Sequence, residues 1–175
     1  DLYRGTAFYT KELEKSELPE ADLYYLELCG ANSSASVYVN GRKLASHDGG
    51  YSTWRVNITD ALKAKNLIVI EVDNSVNDTV YPQHADFTFY GGLYRNVNIL
   101  AVSSSHFDLD YFGGPGIQVT PEVTGTSANV NVEVFVTNKT DAQQIRYTIK
   151  DAEGNVVAET TCADTAVSFT LENVH

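Results

Sequence analysis

The strict alternation of apolar and polar residues in short runs constrains this chain more than any other feature. At residues 129–136 (NVNVEVFV) a valine occupies every second position. A period of two is typical of a half-buried β-strand, because successive side chains of a strand point to opposite faces. The pattern predicts an all-β protein of many short antiparallel strands, in a sandwich or a barrel. Four further runs have strand composition, at residues 23–28, 35–39, 67–72 and 94–100.

Turn-forming residues separate these runs. Asn40-Gly41 is the strongest hairpin signal, because both residues tolerate the positive φ of a type I′ turn. Residues 151–155 (DAEGN) predict a second hairpin. One short helical turn is predicted at residues 59–65 (TDALKAK), capped by Thr59 or Asp60. Further turns are predicted at residues 30–34, 47–50 and 73–78.

A change of composition at residues 103–105, where three serines follow a strand pattern, predicts a boundary between two domains. We expect a first domain at residues 1–103 and a second at residues 104–175. The second has about five strand patterns in about 72 residues, whereas an immunoglobulin-type sandwich uses about seven strands and ~100 residues. We therefore expect an immunoglobulin-like sandwich that is incomplete at its C-terminus. Open sheet edges favour pairing between chains, which predicts a homo-oligomer.

Composition and charge exclude several functional classes. The chain carries 12 lysines and arginines against 23 acidic residues, a net charge of -11, which disfavours nucleic acid as a partner. No apolar run approaches the ~18 residues of a membrane span, so no membrane segment is expected. Cys29 and Cys162 lie far apart in the sequence, which argues against a disulfide scaffold and against a thiolate zinc site.

The sequence leaves the cellular location open. The chain begins at Asp1 and contains no methionine, so we expect that residue 1 is not the native start and that any signal peptide lies outside the sequence. The acidic charge fits a bacterial cytoplasmic, periplasmic or secreted protein equally well.

Two stretches of the chain resemble a known enzyme family. The first stretch contains three short segments, VNGRK (39–43), HDGGY (47–51) and VNIT (56–59). The second stretch is DFTFYGGLYRNV (86–97). Together they resemble the N-terminal region of glycoside hydrolase family 2 enzymes. In that family a jelly-roll sugar-binding domain precedes an immunoglobulin-like domain, and a (β/α)8 barrel with the catalytic glutamates follows. The resemblance covers essentially the whole chain and is strongest over residues 37–100.

The resemblance implies a jelly-roll, galactose-binding-like sandwich at residues 1–103 and the start of an immunoglobulin-like sandwich at residues 104–175. It also implies that the chain is a non-catalytic part of a retaining β-glycosidase, inactive without the barrel. The double glycine of YGGLYR resembles β-galactosidases, so a β-galactoside-type carbohydrate is the expected ligand. A β-glucuronidase or β-mannosidase parent is the alternative. The catalytic barrel of the parent chain is the expected partner.

Three residues are candidates for substrate binding, and no catalytic residue is expected. In the family, the aspartate at the position of Asp86 extends into the sugar pocket, where it contacts a sugar hydroxyl or a bound ion. His84 is a candidate because it lies two residues before Asp86. Asn74 is a candidate because it opens the loop that the resemblance places at one wall of the pocket. The alternative for Asp86 is a turn cap or an ion pair with Arg95.

The resemblance requires no cofactor in this chain. A structural calcium is an alternative for the oxygen-rich residues 73–78, and a monovalent or divalent ion is one for the parent active site. The spacing does not match an EF-hand, so a cluster of turn residues is the favoured interpretation. The oxygen-bearing side chains concerned are Asp73, Asn74, Asn77 and Asp78.

The remaining notable residues have mainly structural interpretations. Trp54 is expected in the core rather than as a sugar-stacking platform. His47 is expected to be a solvated loop histidine, and Gly91 and Gly92 to serve backbone geometry or close packing. Alternation places Arg95 on the inward face of a strand, which predicts a structural ion pair. Its candidate partners are Asp86, Asp73 and Glu71.

Two other classes of protein remain open. A free-standing carbohydrate-binding module or lectin would bind sugar through exposed aromatic residues such as Trp54. A structural or adhesive β protein would instead bind partners through a sheet edge or a surface patch.

Overall fold

The computed structural model describes residues 3–81, 85–86 and 88–173, and it confirms the predicted all-β fold class. The chain forms two compact units, residues 1–103 (unit 1) and 104–175 (unit 2). In the described part of the chain, the helical elements are two short 3-10 helices, Lys15–Glu17 and Thr59–Ala61.

Unit 1 contains nine strands among its described residues, and several coincide with the predicted runs. The strands are β1 (Thr6–Glu14), β2 (Leu23–Leu28), β3 (Ala31–Asn32), β4 (Ser34–Val39), β5 (Arg42–Asp48), β6 (Trp54–Asn57), β7 (Lys65–Asp73), β8 (Gly92–Leu93) and β9 (Val97–Val102).

Two antiparallel sheets pack against each other in unit 1. Sheet A has the strand order β1-β7-β4-β5, and sheet B has the order β6-β2-β9. The short strands β3 and β8 form a separate antiparallel pair. One apolar core cluster combines buried side chains of both sheets, so the unit is a β-sandwich of the predicted kind.

The core of unit 1 is built by alternation along its strands. On β7 the side chains of Ile68, Ile70 and Val72 are buried, while the two residues between them are half-buried. Removing one such side chain from water stabilises the fold by about 1.5–3 kcal/mol. Trp54 belongs to this core and is 9% exposed, which confirms its core interpretation. The largest fully buried side chains are Leu28, Val37, Val39, Ile58 and Val72.

The Asn40-Gly41 hairpin is confirmed. Val39 pairs with Arg42 across a two-residue loop between β4 and β5. The φ angles are 52° at Asn40 and 81° at Gly41, the positive values that a type I′ turn requires. The Asn40 side chain also links this turn to the start of β7, because its Nδ2 donates to Asn66 Oδ1 at 3.0 Å.

Asn66 is a buried polar residue whose side-chain amide is fully engaged. Its Oδ1 accepts from the Lys63 N–H at 2.7 Å and from Asn40 Nδ2. Its Nδ2 donates to the Lys63 carbonyl at 2.8 Å and to the Leu13 carbonyl at 3.3 Å. An unpaired buried polar group destabilises a fold by roughly 1–3 kcal/mol, so these bonds are required. Asn66 therefore ties together β1, β7 and the loop that precedes β7.

The predicted helical turn is wrong in length and in its cap. The structure has a three-residue 3-10 helix, Thr59–Ala61, and Ile58 occupies the N-cap position instead of either predicted residue. The groups of Thr59 are engaged elsewhere: its N–H donates to Asn57 Oδ1 at 3.0 Å, and its Oγ1 accepts from the Tyr24 N–H at 2.9 Å. These bonds to a neighbouring strand leave no capping geometry for a longer helix.

Three predicted boundaries also differ from the structure. The turn predicted at residues 47–50 begins only after β5 ends at Asp48. The predicted turn at residues 30–34 contains β3 and the first residue of β4, because Ala31 and Asn32 pair with β8. The strand predicted at residues 94–100 begins only at Val97, where pairing with β2 starts.

Unit 2 is also built from antiparallel strands, and its sheets contain two or three strands each among the described residues. Its sheets have the orders β11-β12-β16, β14-β15 and β10-β13. β11 is an edge strand whose residues are all exposed. The strands are β10 (His106–Phe107), β11 (Ile117–Thr124), β12 (Ser127–Val134), β13 (Val136–Thr137), β14 (Ile145–Lys150), β15 (Val156–Cys162) and β16 (Ala166–Glu172).

Alternation also builds the interior of unit 2. Val130 and Val134 on β12 are buried, while Asn131 between them is exposed, as the valine pattern predicts. Tyr147 on β14 is buried, and its hydroxyl donates to the Asp164 carbonyl at 2.7 Å. The hairpin predicted at residues 151–155 is confirmed, because it joins β14 to β15.

In the part of the chain that the structure describes, no helix has the length and apolar character needed to cross a membrane. Cys29 and Cys162 are both free thiols.

Replacing Asn66 with alanine should lower the free energy of unfolding by about 2–3 kcal/mol, because the buried groups that it binds lose their partner. Trp54 is the sole tryptophan and lies in the unit 1 core, so its fluorescence in urea reports this unfolding. Asn96→Ala is the control, since Asn96 is exposed, and its effect should stay below about 0.5 kcal/mol. Equal unfolding midpoints for Asn66→Ala and the parent chain would contradict the role of Asn66.

Candidate functional site

The candidate site is built on the loop that follows β7, an inner strand of sheet A. β7 ends at Asp73, whose Oδ1 accepts from the Ser75 N–H at 2.7 Å and whose Oδ2 accepts from Thr6 Oγ1 at 2.8 Å. The side-chain and backbone hydrogen bonds of Ser75, together with that of Thr6, lower the pKa of Asp73, and slight burial opposes them weakly. These hydrogen bonds therefore hold Asp73, the residue after which the loop begins, in place.

Asn74 fastens the start of the loop to the N-terminal segment. Its Oδ1 accepts from the Gly5 N–H at 2.7 Å, and its Nδ2 donates to the Tyr3 carbonyl at 3.2 Å. A Cβ at Gly91 would collide with Asn74 Nδ2, so the far end of the loop packs directly on this amide. The structure thus places this candidate at the base of the loop, where backbone groups engage its amide.

The far end of the loop is held by contacts with two other strands. Asn32 Nδ2 donates to the Tyr90 carbonyl at 2.8 Å, and the Leu93 N–H donates to the Tyr9 hydroxyl at 3.3 Å. Gly92 has a φ of 78°, and a Cβ there would collide with the Tyr9 hydroxyl. Only glycine satisfies both conditions, which confirms that this position serves close packing.

The first half of the loop folds back onto sheet A. Asn77 Nδ2 donates to Ser34 Oγ at 2.8 Å, and Asn77 Oδ1 accepts from the Thr79 N–H at 2.9 Å. Val80 is buried. The segment is therefore anchored by one buried side chain and by a hydrogen bond to β4.

Asp86 lies beyond this anchored segment, and its side chain is exposed. Among the described residues, none forms a hydrogen bond or an ion pair with Asp86. Tyr81 and Tyr90 flank this part of the loop in the sequence and are 89% and 70% exposed. His84 lies outside the described residues, so its assignment stays a prediction, as do those of Asp86 and Asn74.

The predicted ion pair of Arg95 is wrong. Arg95 lies in the irregular segment between β8 and β9, where strand alternation does not apply, and it is exposed. Its Nη1 donates to the carbonyls of Tyr51 at 3.2 Å and Cys29 at 3.5 Å. Its guanidinium lies 5.2 Å from the centre of the Tyr94 ring. Carbonyl oxygens and an aromatic ring thus replace the predicted carboxylate.

His47 also differs from its prediction as a solvated loop histidine. It lies on β5, is half-buried, and its ring stacks on Trp54 with a centroid distance of 5.1 Å. Burial lowers the pKa of His47, while the charge of Asp48 acts in the opposite direction. Because Trp54 is covered in this way, it is not the exposed sugar-stacking platform that the lectin alternative needs.

The oxygen-rich residues 73–78 are engaged in turn hydrogen bonds. Asp73 and Asn77 each accept from the backbone N–H two residues further on, the geometry of a turn-capping side chain. Within the described ranges, no group of three or more His, Cys, Asp or Glu side chains is arranged to hold a metal ion. The expectation of a calcium, or of an ion in the parent active site, stays a prediction.

A charged cluster on sheet B lies outside the loop. Arg55 Nε lies 2.7 Å from Glu27 Oε2, and Asn98 Nδ2 donates to Glu27 Oε1 at 2.9 Å. Burial on its own raises the pKa of Glu27, but the hydrogen bonds of Asn98 and Arg55 and the charge of Arg55 outweigh it, so this pKa is lowered. The three residues are direct neighbours on β6, β2 and β9, which indicates a structural role.

Sequence reasoning missed three residues that position the loop, Gly5, Tyr9 and Asn32. Each lies far from the loop in the sequence and reaches it only through sheet packing. The double glycine, Gly91-Gly92, was the one available signal, because it indicates that something packs closely at this place.

A protein-family model matches unit 1 and the first residues of unit 2. The match covers residues 3–107, and the family is described as glycosyl hydrolase 2 galactose-binding domain-like. The chain belongs to glycoside hydrolase family 2. This confirms the resemblance drawn from the VNGRK and YGGLYR stretches.

A solved structure and two curated relatives support the family 2 assignment. The FMN-binding β-glucuronidase of Faecalibacterium prausnitzii L2-6 is 40% identical, with a TM-score of 0.90, over 99% of this chain and 28% of that chain. The β-glucuronidase of Bacteroides fragilis is 32% identical over 79% of this chain and 20% of its own length. The β-galactosidase of Thermoanaerobacter pseudethanolicus is 28% identical over 78% of this chain and 18% of its own length. This family 2 chain thus spans less than a third of the length of each of them.

Gly91→Ala should lower the free energy of unfolding by about 1–3 kcal/mol, because the new methyl group displaces the Asn74 amide. In an Asn74→Ala background the obstructing Nδ2 and Cγ atoms are gone and only the Cβ of residue 74 stays close, at 3.0 Å. The added effect of Gly91→Ala should therefore fall to about half or less of its value in the parent chain. Urea unfolding of the parent chain, both single variants and the double variant measures this coupling. Additive effects would contradict the packing of Gly91 on Asn74.

Asp73 should contribute to the acid sensitivity of the fold. Its pKa is lowered in the folded chain, so its contribution is present above the ordinary value of about 3.8 and is lost as the pH falls through the lowered value. Asp73→Asn keeps an acceptor oxygen for Ser75 but cannot ionise. Between about pH 5 and about pH 2 the variant should therefore lose less stability than the parent chain.

Asp60→Asn is the matched control for Asp73→Asn, because Asp60 is exposed. Its unfolding midpoint should follow the pH profile of the parent chain. The role of Asp73 would be refuted by a variant whose midpoint falls with acid as steeply as that of the parent chain.

Proposed function

We propose that this chain is the N-terminal, non-catalytic region of a larger retaining β-glycosidase, and that its first unit forms one wall of the sugar pocket. The observation that carries the proposal is the exposed carboxylate of Asp86 on a loop anchored at both ends. A carboxylate accepts hydrogen bonds from neighbouring hydroxyl groups, which is the chemistry that sugar recognition needs. A loop on a rigid sandwich can hold such a group in a reproducible position.

The lengths of the relatives support a larger parent enzyme. This chain matches between 18% and 28% of the β-glucuronidases and the β-galactosidase described above. Glycoside hydrolysis needs two carboxyl groups on either side of the scissile bond, roughly 5–9 Å apart. In the proposal these groups belong to a barrel domain of the same polypeptide, which is the partner of the first unit. No cofactor is part of the proposal.

A β-glucuronide is the first candidate substrate and a β-galactoside the second. The 40% identical structure and the 32% identical relative are both named β-glucuronidases, which supports the glucuronide. The β-galactosidase relative supports the galactoside. Asp86, Asn74 and His84 remain the proposed substrate-binding residues, with Asp86 in direct contact with a sugar hydroxyl.

The proposed function predicts hydrolysis only by the longer polypeptide. The 175-residue chain should release no nitrophenol from 4-nitrophenyl β-D-glucuronide or β-D-galactoside, whereas the longer polypeptide from the same reading frame should hydrolyse one of them. Asp86→Asn in that polypeptide should lower kcat/KM by about 10–100-fold, since an uncharged amide oxygen is a weaker acceptor for the sugar hydroxyl than a carboxylate. Asp60→Asn should leave kcat/KM unchanged.

Two results would contradict this function. One is turnover by the isolated 175-residue chain in proportion to its concentration. The other is tight binding of galactose or glucuronic acid by the isolated chain in calorimetry, which would favour the free-standing lectin, because the proposal leaves half of the pocket to another domain.

A further inference from the structure

The Asn40-Gly41 turn joins β4 to β5 and carries a chemically reactive pair of residues. Among the asparagines of the chain, only Asn40 precedes a glycine. The backbone nitrogen of the residue after an asparagine can attack the side-chain carbonyl carbon and release ammonia. A glycine hinders this attack least, because it has no Cβ. The pair that forms the turn is therefore also the asparagine site in the chain that is most prone to deamidation.

Backbone geometry, and not packing, requires the glycine at position 41. Its φ is 81°, and a Cβ built there would meet no atom within 4 Å. Residues with a Cβ adopt this left-handed conformation only with strain. The turn therefore retains a glycine at the position where a larger residue would slow the attack, so the fold itself preserves the reactive pair.

The folded turn keeps the two reacting atoms apart. Asn40 has a φ of 52°, a value typical of the first central residue of a type I′ turn. Type I′ is the mirror image of type I, so the ψ of this residue in such a turn is about +30°. At this ψ the Gly41 nitrogen is roughly trans to the Asn40 Cβ and cannot reach Cγ. Deamidation therefore requires rotation about the Asn40 Cα–C bond, which opens the turn.

Three hydrogen bonds also hold the Asn40 side chain in place. Its Nδ2 donates to the Ala61 carbonyl at 2.9 Å and to Asn66 Oδ1 at 3.0 Å. Its Oδ1 accepts from the Leu67 N–H at 3.1 Å. The Asn40 N–H in turn donates to the Leu67 carbonyl at 2.9 Å, so backbone and side chain bind the same residue of β7. The amide can turn toward Gly41 only after these bonds break.

We propose that Asn40 is a site of spontaneous deamidation that the folded turn protects and that opening of the turn exposes. In the open state the Gly41 nitrogen bonds to Asn40 Cγ, the Cγ–Nδ2 bond breaks, and ammonia leaves with the Gly41 proton. Water then opens the resulting five-membered succinimide. Attack at Cγ gives aspartate, and attack at the backbone carbonyl carbon gives isoaspartate. Water is the only co-reactant, and the inference does not rest on the proposed function.

Both products remove the anchor that Asn40 provides. An aspartate has an acceptor oxygen in place of Nδ2, so the Ala61 carbonyl loses this donor and Asn66 Oδ1 faces another acceptor. An isoaspartate adds a methylene group to the backbone of a two-residue loop that the pair Val39 and Arg42 closes. The modified turn therefore opens more readily than the original one. Deamidation thus makes a transient opening of unit 1 permanent.

Peptide mass spectrometry of the unsubstituted chain tests the protection. The chain is incubated at neutral pH, in buffer and in guanidinium chloride that unfolds unit 1, and the conversion of Asn40 is followed with time. Deamidation in buffer should be slower by about 100-fold or more, because only the open fraction of the molecules reacts. Equal rates would overturn the proposal, as would the absence of deamidation at Asn40 in the unfolded chain.

Hydrogen exchange at Leu67, measured by NMR, identifies the opening that limits the reaction. The Leu67 N–H donates to Asn40 Oδ1, so it exchanges with solvent when the Asn40 side chain is released. At low concentrations of guanidinium chloride, the deamidation rate of Asn40 and the exchange rate of Leu67 should change in the same proportion. A change in one rate without the other would overturn the proposal.

Asn66→Ala and Val130→Ala test whether the anchor of this turn controls the rate. Asn66→Ala removes an acceptor of Asn40 Nδ2, so deamidation in buffer should be about tenfold or more faster than in the parent chain. Val130→Ala is the control, because it weakens the interior of unit 2 and should leave the rate unchanged. An unchanged rate in Asn66→Ala, or equal acceleration in both variants, would overturn the proposal.

Asn40→Asp reproduces one product and tests its effect on the fold. The ratio of folded to unfolded unit 1, measured by Trp54 fluorescence in urea, should fall by about tenfold or more. Asn96→Asp adds the same charge at an exposed position and should change this ratio by about twofold or less. Equal ratios for the two variants would overturn the inference that deamidation destabilises unit 1.

Discussion

The burial of β7 between β1 and β4 is the constraint on which the rest of unit 1 depends. Its inward side chains, Ile68, Ile70 and Val72, fill the core, and its edges pair with both neighbouring strands. Asn66 lies near its start and Asp73 at its end, so the same strand positions two polar anchors. A slip of one residue would turn its buried side chains to solvent and displace both anchors, so the register of one strand fixes the place of the loop.

The two carboxylates of this loop, Asp73 and Asp86, differ in their hydrogen-bond partners. Asp73 is engaged by hydroxyl and backbone donors, which lower its pKa and make it a structural residue. Asp86 is exposed and makes no such bond to a described residue, so its acceptor capacity is available to a ligand. The side-chain amides of Asn74 and Asn32 hold the two ends of the loop, and so fix the segment that carries both carboxylates. In the proposed function, Asp73 anchors the loop and Asp86 recognises the ligand.

Local patterns in the sequence predicted most of the fold, and they failed where tertiary pairing decides. The alternation in β2 and β12 and the Asn40-Gly41 hairpin are local, because each strand or turn carries its own signature. Arg95 was assigned to a strand, since alternation does not show where pairing with β2 begins. The sequence singled out Asp86 through a family motif, but Tyr9 and Asn32 contact the loop only across the sheets, and no spacing pattern encodes such contacts.

Gly91 and Gly92 of YGGLYR must be small because other side chains pack directly against them. Gly91 leaves room for the Asn74 amide, and Gly92 leaves room for the Tyr9 hydroxyl while holding a positive φ. Both contacts lie within unit 1, so packing of the loop explains the two glycines without reference to a sugar. Sorting of family 2 sequences by substrate should therefore give this pair little weight.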